Sequence, residues 1–162
     1  MLIVLIAEGN VMDVFNVSLF GHREIRDLRG VDIQLFRIIE DLLRTKIYVG
    51  FLIGRNGVFD EYAASLIKRC QKEIKSENSD MTLVLPYAVA DISYYEKYYD
   101  NIIIPECMHG VHPKSAIGLR NRWMVEHSDL VIVFAEYDSG GAYNAMRYAI
   151  KLNKRIIRIN RK

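Results

Sequence analysis

Apolar residues in this chain fall into short runs that alternate with longer amphipathic stretches. The runs occupy residues 14–20, 47–53, 81–85, 102–104, 130–134 and 155–159, and they predict buried strands. Residues 31–44 show three- and four-residue apolar spacing, as in Leu35, Ile39 and Leu42, which predicts a helix with one face against a sheet. Similar spacing predicts helices over 59–74, 115–127 and 142–152.

The alternation of strands and helices predicts an α/β fold. Crossover connections of this kind favour a three-layer sandwich with a mostly parallel central sheet and helices on both faces. Residues 1–162 are expected to form one domain, because no repeat, low-complexity tract or proline-rich linker interrupts them. Ligands of such sheets bind beyond the carboxyl ends of the strands, so the strand-to-helix loops are the candidate site.

The first thirteen residues allow two interpretations. Residues 1–7 are apolar but lack a basic flank and are much shorter than the roughly 20 residues that span a bilayer, so no membrane anchor is expected. The segment is either an extra buried strand or an N-terminal extension that precedes a start at Met12. The sequence does not decide between them.

Composition adds constraints on partners and compartment. The formal net charge is +2 over 162 residues, which provides little of the field that drives unspecific nucleic-acid binding. We therefore expect nucleic acid to be an improbable partner and any anion to be held locally. The two cysteines, Cys70 and Cys107, indicate neither a disulfide framework nor a zinc site, and a cytoplasmic location fits best.

Two candidate phosphate loops follow the first two strands of the predicted sheet. In the first, Gly21 permits a sharp turn while His22 and Arg23 bring a titratable ring and a fork of donors. A solvated turn explains this loop equally well. In the second, Gly54 and Gly57 flank two polar residues, Arg55 and Asn56, and left-handed backbone angles there would form an anion-binding nest.

Asp60 follows the second loop and has two candidate roles. Its carboxylate can cap the predicted helix at 59–74, which is the favoured interpretation. It can instead accept a ribose hydroxyl, as acidic residues do in dinucleotide sites.

The loop after the fifth predicted strand is the most informative motif. Ser139, Gly140, Gly141 and Ala142 precede or begin a helix, where exposed amides and the positive end of the helix dipole attract phosphate. Asn144 follows them.

Arg120 is the preferred ligand arginine. It shares a helical face with Met124, while Asn121 and Arg122 are expected to project elsewhere. The alternative is a solvated arginine cluster.

Weaker signals have mainly structural explanations. The tyrosine-rich residues 94–99 would stack a base or form a lid, but a sheet-edge or subunit contact is favoured. Pro86 and Tyr87 end the third strand, where the tyrosine would face the cleft. No histidine or cysteine spacing fits a metal site, and no serine or cysteine lies in a nucleophile elbow.

An ordered set of motifs resembles a known superfamily. Phe-Gly-His-Arg at 20–23, Gly-Arg-Asn-Gly-x-Phe-Asp at 54–60, Leu-Pro-Tyr at 85–87, Arg-Asn-Arg-x-Met-Val at 120–125 and Ser-Gly-Gly-Ala-Tyr at 139–143 carry it. Together they resemble the SLOG superfamily of Rossmann-like domains, related to Smf/DprA and lonely-guy proteins, in its YpsA-like branch. The resemblance covers about residues 14–160 and implies a cleft formed by the glycine loops.

The same comparison argues against hydrolysis. Lonely-guy phosphoribohydrolases carry a proline- and glycine-rich motif followed by a catalytic glutamate, whereas residues 140–147 here contain no glutamate. Arg120 resembles the active-site arginine of those hydrolases. The resemblance thus implies that a phosphate pocket persists. It does not decide whether the chain is an enzyme, and no catalytic residue is assigned.

The sequence leads to one preferred function and two alternatives. The preferred function is binding of a nucleotide or ADP-ribose-like ligand, a small phosphate-containing molecule, as a sensor or regulator. Alternatives are a nucleotide N-glycosidase using Asp60, Glu61, Glu136 or Asp138, and a dimeric interaction module. A homo-oligomer is expected and no cofactor is required. The expected ligand-binding residues are Gly21, His22, Arg23, Gly54, Arg55, Asn56, Gly57, Asp60, Pro86, Tyr87, Arg120, Ser139, Gly140, Gly141, Ala142 and Asn144.

Overall fold

A computed structural model describes residues 5–7 and 10–161, with side chains described from residue 13 onward. Helices and strands alternate along most of this length. In chain order they are β1 (Leu5–Ala7), β2 (Asn10–Met12), β3 (Phe15–Gly21), α1 (Val31–Thr45), β4 (Val49–Ile53), α2 (Val58–Glu73), β5 (Ser79–Val84), α3 (Ile92–Glu96), β6 (Asn101–Ile103), a 3-10 turn at Glu106–Met108, α4 (Pro113–Glu126), β7 (Leu130–Phe134), α5 (Gly140–Lys151) and β8 (Arg155–Arg158).

Six of these strands form a parallel sheet in the order β6-β5-β4-β3-β7-β8. Within this sheet the chain enters at the central strand β3, moves outward through β4 and β5 to β6, and then crosses back through α4 to β7. In the register, Val17 lies opposite Leu130 and Gly21 opposite Phe134. The strand order therefore reverses between β3 and β7, and the loops that leave these two strands diverge.

Helices cover both faces of the sheet because its central strands are apolar on both sides. Val17, Leu19 and Phe51 pack with α1 and α2 in one buried cluster. Phe20, Val131 and Val133 pack with α4 and α5 in the other. The all-buried pattern of β4 and β7 follows from this double coverage. The predicted three-layer α/β sandwich, a Rossmann-like fold, is confirmed.

Most predicted elements agree with the structure to within about two residues. Three features were missed. They are the short helix α3, the 3-10 turn and the antiparallel hairpin of β1 with β2, which is separate from the six-stranded sheet. The predicted opening strand over residues 1–7 falls partly outside the described residues, of which Leu5–Ala7 form β1.

Candidate functional site

A cleft of about 470 Å³ opens at the point where the strand order reverses. Its floor is the end of β3, and its walls are the loops after β3, β4 and β7 together with one face of α4. Ligands of open parallel sheets bind at such a reversal, because the two diverging connections leave a crevice between them. The strand order thus makes this cleft the candidate binding site.

Twelve of the sixteen residues expected to bind ligand line this one cleft. They are Gly21, His22, Arg23, Gly54, Asn56, Gly57, Asp60, Arg120, Ser139, Gly140, Gly141 and Ala142. The other four, Arg55, Pro86, Tyr87 and Asn144, lie outside it. Their shared location does not test the binding role of the twelve, which stays a prediction.

Arg120 is buried inside the cleft wall and is not part of a solvated cluster. Its side chain is 3% exposed. Its guanidinium donates to the carbonyl oxygen of Val84 at 2.7 Å and to Oδ1 of Asn56 at 3.0 Å. Burial lowers the pKa of Arg120, and the carboxylate of Asp60 opposes that shift. Because arginine stays charged in proteins, this residue places a fixed positive charge below the cleft.

The glycines after β4 serve a purpose different from the predicted one. Neither Gly54 nor Gly57 has a left-handed backbone, so the predicted nest of left-handed angles is wrong. A Cβ on Gly54 would lie 2.7 Å from Nη1 of Arg120, and one on Gly57 would lie 2.5 Å from Cα of Arg23. Both positions are glycine because neighbouring groups approach closely.

Asp60 accepts a backbone hydrogen bond at the start of α2. The N–H of Asn56 donates to its Oδ2 at 2.9 Å. Asn56 precedes α2, whose N-cap is Gly57, so this bond holds the loop before the helix and is not the predicted cap of an orphan helix amide. Burial raises the pKa of Asp60 to about 6, and attraction to Arg120 and backbone hydrogen bonds only partly offset this effect. The carboxyl group is therefore about half ionised near pH 6 and mostly negative above it, and it lines the same cleft as Arg120.

His22 joins the loop after β3 to the loop after β7. The backbone N–H of Glu136 donates to Nε2 of His22 at 2.7 Å, and the ring packs against Tyr137 with centroids 5.0 Å apart. As an acceptor Nε2 carries no proton, and partial burial lowers the pKa of His22. The imidazole is thus a neutral link between two cleft walls.

The start of α5 presents backbone donors to the cleft. Ser139 precedes the helix without making a side-chain capping bond, and Gly140 has φ of 86°. A Cβ on Gly140 would meet nothing within 4 Å, so the backbone conformation alone explains this glycine. Uncapped amides at a helix start attract anions.

The face of α4 in the cleft is wider than predicted. Ile117, Arg120, Asn121 and Met124 all line the cleft, although Asn121 was expected to project elsewhere. The Nε of Arg120 donates to Oδ1 of Asn121 at 2.9 Å. These four positions are spaced i, i+3, i+4 and i+7, which is one face of a helix, so the sequence contained the signal. Tyr137 was also missed; it is 62% exposed at the cleft mouth.

The four remaining predicted residues contact other parts of the molecule. Arg55 donates to the hydroxyl of Tyr95 at 3.1 Å, so its side chain is directed to the tyrosine-rich segment. Pro86 and Tyr87 line a separate depression beside the 3-10 turn. Asn144 lines a groove between α4 and α5. A loop that contributes one residue to the cleft need not direct every side chain there.

The described residues also bear on metal binding, glycosidic cleavage and membrane insertion. Within residues 5–7 and 10–161, no three histidine, cysteine or acidic side chains lie together as metal ligands. Of the carboxylates considered for glycosidic cleavage, Asp60 lines the cleft, while Glu61, Glu136 and Asp138 do not. No described helix is both long and apolar enough to cross a bilayer.

Comparison with known proteins identifies the fold through structure. No family model matches the chain, and no curated protein matches its sequence. DNA processing protein A from Helicobacter pylori, which binds single-stranded DNA, is similar with a TM-score of 0.63 and 14% identity, over 91% of this chain and 66% of that one. DNA processing protein A from Streptococcus pneumoniae gives a TM-score of 0.67 and 16% identity, over 92% and 51%.

These neighbours correct two expectations drawn from the sequence. A small phosphate ligand was the preferred partner, and nucleic acid was judged improbable because the net charge is only +2. The Helicobacter pylori protein binds single-stranded DNA, so the fold is used for nucleic acid. The physical error lay in using the net charge, since a few local cations suffice to hold a phosphate backbone.

The chain spans 66% and 51% of the lengths of the two proteins, and at these identities the likeness shows a shared fold. The fold agrees with the Smf/DprA-related part of the resemblance and does not distinguish the YpsA-like branch. The described residues form the Rossmann-like fold seen in DNA processing protein A.

Proposed function

We propose that this chain binds single-stranded DNA and holds the phosphate backbone in the cleft at the strand reversal. The observation that carries the proposal is one cleft in which a buried arginine, an exposed arginine and an uncapped helix start converge. The fold it shares with a protein that binds single-stranded DNA supports the choice of nucleic acid.

Three kinds of donor support phosphate binding here. Arg23 is exposed at the rim and has no ion-pair partner among the described side chains. Gly140 and Gly141, at the start of α5, line the same cleft, and this helix start has no side-chain cap. Arg120 adds a buried positive charge, which two carboxylates that line the same cleft, Asp60 and Glu24, partly offset.

Tyr137 supports a single strand as the form of DNA. Its ring lies at the cleft mouth and is mostly exposed, so one face is open for a base. Bases are available for stacking on an aromatic ring only when they are unpaired, and such stacking tolerates any sequence. A duplex would present phosphates to the cleft but no free base to Tyr137.

Hydrogen bonds among the loops hold the cleft in one shape. The N–H of Val58 donates to the carbonyl oxygen of Arg23 at 2.9 Å, which ties the first loop to the second. His22 ties the first loop to the third, and Arg120 bonds Asn56 and Val84. A rigid site loses less entropy on binding, which favours affinity.

Membership of the SLOG superfamily, in its YpsA-like branch, is part of this proposal. It rests on the ordered motifs at 20–23, 54–60, 85–87, 120–125 and 139–143. We also propose a cytoplasmic location, because the two cysteines do not form a disulfide framework.

Fluorescence anisotropy with a labelled oligothymidylate of about 12 nucleotides tests the proposal, since this length is within the range of single-strand sites. The Arg23→Gln variant should bind about threefold to tenfold more weakly, because one charge-assisted contact is lost. Arg37→Gln removes an exposed charge from α1, on the other face of the sheet, and should change affinity less than about twofold. Absence of binding by the folded wild-type chain would overturn the proposal.

A further inference from the structure

A groove between α4 and α5 continues from the cleft. It has a volume of about 880 Å³ and is lined by residues of both helices. Ile117, Asn121 and Gly141 line both the groove and the cleft. A chain leaving the cleft past the start of α5 therefore enters this groove without crossing open surface.

The charged residues that line the groove are all cationic. They are Arg122 from α4 and Arg147 and Lys151 from α5, and none of the described carboxylates lines the groove with them. None of the three forms an ion pair with any side chain that the structure describes. Arg147 and Lys151 are one helical turn apart and repel each other, so a bound polyanion would relieve this repulsion.

Helical spacing places these groups along one line. Asn144, Arg147, Tyr148 and Lys151 follow the i, i+3, i+4, i+7 pattern, which forms a stripe on α5 that faces the groove. The stripe begins near Gly141 at the cleft and runs toward the carboxyl end of the helix. Phosphates that follow one another along a backbone would meet successive donors.

Tyrosine rings orient the two arginines. The guanidinium of Arg122 lies 5.4 Å from the ring centroid of Tyr148, and that of Arg147 donates to the hydroxyl of Tyr143 at 3.2 Å. The hydroxyl of Tyr148 donates to Glu126 at 2.5 Å, which holds its ring in place. Both guanidinium groups are thus positioned and still exposed, as phosphate recognition requires.

We propose that this groove is a second phosphate track, which binds the nucleotides of single-stranded DNA next to those held in the cleft. The inference rests on the proposed function, because the strand must first occupy the cleft. Arg122, Arg147 and Lys151 are its phosphate ligands, and Asn144 is a neutral donor between them.

Binding of oligothymidylates of two lengths tests this track, with about 4 nucleotides to occupy the cleft and about 12 to reach along the groove. The test variant combines Arg122→Gln, Arg147→Gln and Lys151→Gln. The matched control combines Arg37→Gln, Lys72→Gln and Lys75→Gln, three exposed cations on the α1 and α2 side. Circular dichroism establishes that both variants are folded.

The wild-type chain should bind the longer strand more tightly, and the test variant should lose about tenfold or more of that affinity at low salt. Its affinity for the short strand should stay within about twofold of the wild type, as should both affinities of the control. An unchanged affinity of the test variant for the longer strand, or an equal loss in the control, would overturn the second track. Failure of the wild type to bind either strand would instead overturn the proposed function itself.

Discussion

Arg120 is buried and Asp60 is partly buried, and these two opposite charges line the same cleft. Their hydrogen bonds go to neutral groups: Arg120 donates to Val84, Asn56 and Asn121, and Asp60 accepts from the N–H of Asn56. Burial disfavours the charged form of each group. The arginine cannot release its proton in the accessible range, so the carboxyl group is the one that titrates.

An Asp60→Asn variant should be more stable than the wild type at about pH 7.5. The pKa of Asp60 is about 6 in the fold against 3.8 ordinarily, so the folded state holds a proton that the unfolded state has released between these values. Wild-type stability therefore falls as the pH rises from 3.8 to 6, by at most about 3 kcal/mol. Asparagine does not ionise and retains an oxygen for the N–H of Asn56.

Urea unfolding at about pH 7.5 and about pH 3.5 measures this effect, because both forms of residue 60 are neutral at the lower value. The stability advantage of the variant should largely vanish there. Glu61→Gln is the matched control, since Glu61 is exposed and neighbours Asp60 in sequence. An advantage that is the same at both pH values would contradict the assigned cause.

The strands of the sheet and the helices that cover it could be predicted from the sequence, because their apolar periodicity is strong and repeated. The helix α3 was missed because it is short and no residue in it is buried, so it carries no apolar stripe. The roles of Gly54 and Gly57 were also missed, since both depend on partners distant in sequence, Arg120 and the backbone of Arg23. Close approach is a tertiary property, whereas a left-handed turn such as Gly140 is a local one.

A substitution at Gly54 tests how closely α4 packs against the end of β4. A Gly54→Ala variant should lose about 1–3 kcal/mol of stability, because the added methyl group overlaps a guanidinium that is held by three acceptors. Gly118→Ala is the matched control within α4. Its Cβ would meet nothing within 4 Å, and it should gain about 0.5–1 kcal/mol from better helix propensity.

Thermal unfolding of the two variants compares these contributions directly. A Gly54→Ala variant as stable as the wild type would show that the Arg120 side chain moves aside without cost. The inference that its guanidinium is held rigidly would then be wrong.

At the scale of the molecule, strand order decides which loops meet. The sequence indicated several glycine-bearing loops, but pairing of β3 with β7 brings three of them together and leaves Pro86 and Tyr87 at another strand end. Pairing is a long-range property that a single sequence does not reveal. Net charge hides distribution in the same way, since +2 is compatible with a groove whose charged wall is entirely basic.

The salt dependence of binding tests whether local or net charge attracts the strand. Four exposed cations line the cleft and groove, namely Arg23, Arg122, Arg147 and Lys151, so the logarithm of affinity for an oligothymidylate should fall with the logarithm of salt with a slope of about −3. Neutralising Arg37 and Lys72 together lowers the formal charge from +2 to 0 but leaves these contacts intact, so the slope should not change. The Arg23→Gln variant changes the formal charge by one unit, against two units for the distant pair. It should nevertheless reduce the magnitude of the slope by about 0.7, because one phosphate contact is lost. Titrations at several salt concentrations measure all three slopes, and an equal flattening by the distant pair would mean that attraction comes from the whole surface.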